Sequence, residues 1–158
     1  MKNKKLLCTL LSILTVLWIA FIFSNSLEDS VESGAKSAWV YALVHAIIPW
    51  VSELFIRKMG HFAEFAILGM LISSTVFAYI CPAPREAIKK HLWCFTALPA
   101  VFLVGCADEF LQNFSQGRHP AFTDVLIDTA GGLFGIIIIL TIVLLIRCIR
   151  IKKENRQV

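Results

Sequence analysis

Three short stretches of this chain place acids and a histidine at helical spacing inside apolar surroundings. In the first, Arg57-Lys58-Met59-Gly60-His61-Phe62-Ala63-Glu64, His61 and Glu64 are three apart and share a helix face, with Lys58 one turn before His61. In the second, Asp108-Glu109-Phe110-Leu111-Gln112, Asp108 and Gln112 are four apart and again share a face. In the third, Asp124-Val125-Leu126-Ile127-Asp128, the two aspartates are four apart, and Asp128 lies one turn further into an apolar run. An imidazole beside several carboxylates is the material of general acid–base chemistry. His61, Glu64, Asp108 and Asp128 are therefore the candidate catalytic group. Arg57, Lys58, Glu109, Gln112, Arg118 and Asp124 are candidate ligand-binding residues around it. The same four central residues could hold a hard divalent ion as a subset of that reading, but the expectation is of no metal and no cofactor. No Gly-x-Ser-x-Gly nucleophile motif is present.

The elements that carry these residues are membrane spans. Of 158 residues 58% are hydrophobic, and the mean hydropathy is +0.75, above the roughly half-apolar composition of soluble domains. The excess falls in blocks near the ~20 residues that a helix needs to cross hydrocarbon. The pattern predicts an all-α membrane protein, a four-transmembrane-helix bundle forming one domain over 1–158, with helices at about 6–23, 61–80, 92–111 and 125–146. The stretch 38–56 is apolar but broken by His45, Pro49 and Glu53. It reads as one or two short helices at the interface or slightly re-entrant, anchored by Trp39, Tyr41 and Trp50. Pro99 is expected to kink the third span. The first block follows Lys2, Lys4 and Lys5, as in a signal peptide, yet it is long for one and no small-x-small site follows it, so a retained helix is expected.

The basic residues orient the bundle. Lys2, Lys4, Lys5, Arg85, Lys89, Lys90, Arg147, Arg150, Lys152, Lys153 and Arg156 are eleven of the fifteen Lys and Arg, and four spans put them all on one side. By the positive-inside rule that side is the cytoplasm, with both termini. Nine of the eleven acids then lie outside or in the outer turns of helices. A carboxylate at membrane depth costs about 2.5–3.5 kcal/mol unless it finds partners, so Glu64, Asp108 and Asp128 are expected to converge with His61 and Arg118 in an outward-facing polar pocket. Gly131 and Gly135 form a small-xxx-small pair that admits a close helix neighbour, a second copy of the chain among them. The five cysteines, Cys8, Cys81, Cys94, Cys106 and Cys148, match no zinc or redox spacing and read as small apolar fillers.

In order along the chain, Arg57-Lys58-x-x-His61-Phe62-x-Glu64-Phe65, Asp108-Glu109-x-x-Gln112-x-Phe114, Gly117-Arg118 and Asp124 resemble the VanZ-like family of small bacterial membrane proteins. Phe23-Ser24 and the serines after it fit, as do Gly131 and Gly135 after Asp128, so the resemblance spans about residues 10 to 140. Phe65 departs from it, because the family more often has tyrosine there. The resemblance implies a multi-pass protein of the bacterial plasma membrane with a role in the cell envelope, and a link to teicoplanin resistance through the family's namesake. It supplies no reaction. Three functions compete. The first is binding of an amphiphilic envelope lipid or lipid-anchored glycopeptide. The second is an interfacial acid–base hydrolase or transferase acting on a lipid-linked envelope substrate. The third is a small transporter, against which the cytoplasmic halves of the spans lack polar residues to continue a path. A membrane lipid or lipid-linked molecule is the expected partner, and nucleic acid is not.

Overall fold

The computed structural model describes residues 2–80, 91–118, 120–154 and 156. Among the described residues there are five α-helices: α1 Lys2–Ser26, α2 Ser30–Ile47, α3 Glu53–Ile80, α4 Ala97–Gln112 and α5 Phe122–Glu154. A 3₁₀ helix, His91–Thr96, leads directly into α4. Four helical stretches are long and apolar enough to cross a membrane: α1, α3, the 3₁₀ helix together with α4, and α5. The all-α, four-span architecture expected from the hydrophobic blocks is therefore present. The loop expected at Pro82, Pro84, Arg85, Lys89 and Lys90 lies outside the described residues.

Several helix bounds differ from the hydropathy reading: α5 runs over Phe122–Glu154 rather than 125–146, and the bounds of α1, α2 and α3 shift for local reasons. α1 continues past Phe23 to Ser26, because hydropathy falls at Ser24-Asn25-Ser26 while the Asn25 and Ser26 side chains find partners within the bundle. α2 begins at Ser30, inside the polar stretch, because the Asp29 side chain accepts from the backbone N–H of Val31 at 2.9 Å and Glu32 at 2.8 Å. It stops at Ile47, just ahead of Pro49, whose ring disfavours helix in the preceding residue. α3 begins at Glu53 rather than His61, since Ser52 Oγ accepts from Phe55 N at 3.2 Å and starts the helix two turns earlier. At ~1.5 Å per residue, its 28 residues exceed a ~30 Å hydrocarbon core. Pro99 falls in the first turn of α4, directly after the 3₁₀ helix, where its missing N–H breaks no intrahelical bond.

The core is small and lies between helices. Ile22, Phe65, Leu68 and Val101 are fully buried and join α1, α3 and α4, while Cys94, Ala97 and Ile136 join the 3₁₀ helix, α4 and α5. Leu6, Leu10, Leu14 and Leu17 on α1 and Leu144, Leu145 and Ile149 on α5 stay exposed. That is the arrangement of a bundle whose outer solvent is lipid, where close van der Waals contact rather than water exclusion holds helices together. The most extensive packing is α3 on α5. A Cβ on Gly131 would overlap the Phe62 carbonyl, and one on Gly135 the Ala66 carbonyl. The two glycines, which in sequence offered a contact to a second copy, are taken up against α3 of the same chain. α2 has no fully buried residue and packs chiefly on α3. Trp39 and Trp50, in and just after it, are exposed.

Candidate functional site

Every candidate residue lies at one end of the bundle, where α1 and α4 finish and α3 and α5 start. Asp108 is fully buried. Its Oδ1 accepts from Ser26 Oγ at 2.5 Å and its Oδ2 from Gln112 Nε2 at 3.3 Å. Ser26 is the last residue of α1, so this bond joins α1 to α4 across 82 positions. Ser115 Oγ donates back to the Ser26 carbonyl at 2.8 Å, and Ser30 N to the Gln116 carbonyl at 3.1 Å. Together they seat the loop after α4 against the turn after α1. Gly117, at φ 72°, turns that loop at the edge of the site; a left-handed backbone there favours glycine, which has no Cβ to clash.

Asp128 is also fully buried, and neither carboxylate oxygen has a hydrogen-bond partner among the described residues. His61 Nδ1 lies 3.8 Å from Asp128 Oδ1 and 3.9 Å from Asp108 Oδ2, too far for a hydrogen bond to either. Glu64, one turn further along α3, accepts from Asn25 Nδ2 at 2.9 Å through Oε1, and its carbonyl accepts from Trp18 Nε1 at 2.9 Å. Glu64 therefore faces α1, next to the buried pair.

Two cavities open above this floor. The larger, about 470 Å³, is lined by Asn25, Glu28, Lys36, Arg57, His61, Glu64 and Arg118 together with small and apolar residues of α2 and α3. The smaller, about 160 Å³, is lined by Leu54, Arg57, Lys58, His61, Gln112, Gly117, Arg118 and Asp124. Arg57, His61 and Arg118 line both. The one pocket expected from sequence is thus a two-part cavity, and Asp108 and Asp128 sit behind His61 rather than on its wall. Lys36 pairs with Glu28, and Lys58 with Asp124. Arg118 makes no ion pair among the described residues, and its Nε is buried without a hydrogen-bond partner. Burial pulls the Arg118 guanidinium below its ordinary value, and the like charge of Arg57 adds to the effect.

Two candidates are engaged in contacts within the fold. Glu109 is buried away from both cavities; its Oε2 accepts from Ala121 N at 2.8 Å and its Oε1 from Gln112 Nε2 at 3.2 Å, tying α4 to the start of α5. Asp124 lines the smaller cavity but is engaged by Lys58. Sequence reasoning missed Asn25 and Ser26, which hold the Glu64 and Asp108 carboxylates. The signal was a run of small polar residues at the end of the first apolar block, read as the start of a loop.

A bundle of four helices long and apolar enough to cross a membrane, with a histidine over two buried aspartates beneath an arginine-lined cavity at one end, defines a small multi-pass membrane protein with a polar site. The VanZ/LLP1 family model matches residues 10–146, most of the chain and every residue of the site, and the protein belongs to that family. No curated protein and no solved structure matches the chain.

Proposed function

We propose that this protein resides in the bacterial plasma membrane with both termini cytoplasmic, and that its cavity binds the anionic headgroup of an amphiphilic envelope molecule from the outer side. The observation that carries the reading is the Arg57–Arg118 pair, which lines both cavities while the neighbouring lysines are already paired with acids. Two like-charged guanidiniums sharing one partly dry space repel each other. A phosphate or carboxylate between them would relieve that repulsion and accept charge-assisted hydrogen bonds. The exposed apolar surface of α2, with Trp39, Leu43 and Ile47, offers the adjoining contact for an acyl or prenyl tail. An antibiotic that reaches its target through a lipid anchor would meet the same cavity, so lowered teicoplanin susceptibility is a proposed consequence.

The test is lipid-resolved mass spectrometry of the purified protein. Wild type, Arg118→Gln and, as a distant control, Lys152→Gln in the basic tail are compared. Co-purifying phosphate- or carboxylate-bearing amphiphile is expected to fall at least fivefold in Arg118→Gln and to be unchanged in Lys152→Gln. Equal retention by all three would refute the reading.

A second reading, an interfacial acid–base hydrolase or transferase on a lipid-linked substrate, is favoured by one observation. His61 lies between the cavities and the buried Asp108 and Asp128, where a proton could pass between solvent-side substrate and buried carboxylate. An envelope phenotype fully retained in both Asp108→Asn and Glu64→Gln would exclude it.

A further inference from the structure

The buried end of the site holds a set of donors that the headgroup reading leaves unused. His61, Asp108 and Asp128 each offer one ligand atom, and these atoms all lie within 4.8 Å of one another. They come from three different helices, α3, α4 and α5. We infer that His61, Asp108 and Asp128 form a binding site for one divalent cation, open on the side of the arginine-lined cavity.

Three observations carry this. The first is spacing. Ligand atoms 3.8 and 3.9 Å apart are too distant to bond each other, but they can share a cation about 2.0–2.5 Å from each. The second is the orphaned state of the donors. Asp128 is fully buried with both oxygens unpartnered, and His61 Nδ1 is likewise unpartnered, among the described residues. Buried carboxylate oxygens without a partner are costly, and a bound cation satisfies them. The third is charge. Neither Asp108 nor Asp128 forms an ion pair with a lysine or arginine among the described residues; the basic group within that reach of both is His61.

The surroundings match what a metal site needs from its supports. Ser26 Oγ donates to Asp108 Oδ1 and Gln112 Nε2 approaches Oδ2, so the carboxylate is held in one orientation. Asn25 holds Glu64 beside the group. One imidazole and two carboxylates suit a first-row divalent ion such as Mn²⁺, since imidazole favours transition metals and carboxylates favour harder ions. Three protein ligands leave positions open, as in sites where the metal meets a ligand or substrate. The open side faces Arg57 and Arg118 through His61, which lines both cavities. If the headgroup is a phosphate, one of its oxygens would complete the cation's shell while the arginines hold the others; this last point rests on the headgroup reading, whereas the cation site does not.

The experiment uses the full chain, purified in detergent and stripped with EDTA. Mn²⁺ alone is titrated, and free Mn²⁺ is followed by its six-line electron paramagnetic resonance signal. Wild type is expected to bind one Mn²⁺ per chain. Asp128→Asn and Asp108→Asn keep the side-chain shape, and each is expected to weaken binding at least tenfold; His61→Gln should do the same. Glu32→Gln, which removes an exposed acid of α2 that lines neither cavity, should bind as wild type does. Gel filtration and circular dichroism establish that each variant is folded. Should an aspartate variant misfold, His61→Gln, altered at the rim of the site, decides. No saturable binding by wild type, or equal binding by His61→Gln, overturns the site.

A second arm adds phosphatidic acid in mixed micelles. Mn²⁺ binding that tightens in wild type but not in Arg118→Gln supports the bridge. Mn²⁺ binding indifferent to the lipid leaves the cation site standing and overturns the bridge. Lipid retention that depends on Arg118, with no Mn²⁺ bound, leaves the headgroup reading standing and overturns the cation.

Discussion

Replacing Gly135 by alanine adds one methyl group at the tightest helix contact in the bundle. The nearest atoms to the added Cβ are the Ala66 carbonyl oxygen, the Ala66 carbonyl carbon at 2.9 Å and the Met70 nitrogen at 3.0 Å. All three belong to the backbone of α3, so no flexible side chain can swing away, and relief requires α3 and α5 to separate. Separation weakens the largest interface in the protein, with Phe62 and Phe134, whose rings are 5.7 Å apart, among the contacts that loosen. Overpacking by one methylene costs about 1–3 kcal/mol when neighbours can adjust. With backbone on the far side the expected loss is at the upper end, about 3 kcal/mol. Gly60→Ala is the control: it lies on α3, the other helix of this pair, and a Cβ there meets nothing within 4 Å. Helix propensity alone then predicts a neutral change or a gain of up to about 1 kcal/mol. The assay is thermal unfolding of both variants in one detergent, with membrane abundance measured in parallel. If Gly135→Ala unfolds at the same temperature as Gly60→Ala, the close α3–α5 crossing is not what holds the bundle.

Three further outcomes are expected. Ser26→Ala removes the donor to the buried Asp108, and a hydrogen bond to a charged group is worth about 1.5–3 kcal/mol; chemical unfolding should show a loss in that range, and one under about 0.5 kcal/mol would mean the bond contributes little. A double-mutant cycle on Lys58→Met and Asp124→Asn should give a coupling of about 0–1 kcal/mol that shrinks with added salt, because both side chains are about one-third exposed, 33% and 31%. For orientation, a cysteine replacing the exposed Phe114 should react with an impermeant maleimide in intact cells, whereas one replacing Lys89 should not; the reverse pattern would invert the proposed topology.

Composition and the order of polar and apolar residues sufficed for the four spans, because a bilayer admits few alternatives. Backbone groups in hydrocarbon must bond internally, so each apolar block of sufficient length becomes a helix. The convergence of His61, Glu64, Asp108 and Asp128 at one end was legible for the same reason, since alternating spans bring the start of one helix beside the end of another and buried acids seek partners. Hydropathy placed the ends of α1, α2 and α3 wrongly because those ends are decided by caps and tertiary bonds: Asp29 and Ser52 start helices in polar sequence, and Ser26 extends one by reaching Asp108. Which residues touch was likewise beyond the sequence. Nothing in the spacing of Glu109 distinguishes it from Asp108, yet a helix places neighbours roughly 100° apart, so one carboxylate joins the buried group and the other ties down Ala121. Gly131 and Gly135 announced a close contact without naming its partner. Only packing in three dimensions assigned it to α3, because a small residue specifies how near a helix can come and leaves which helix comes to the rest of the fold.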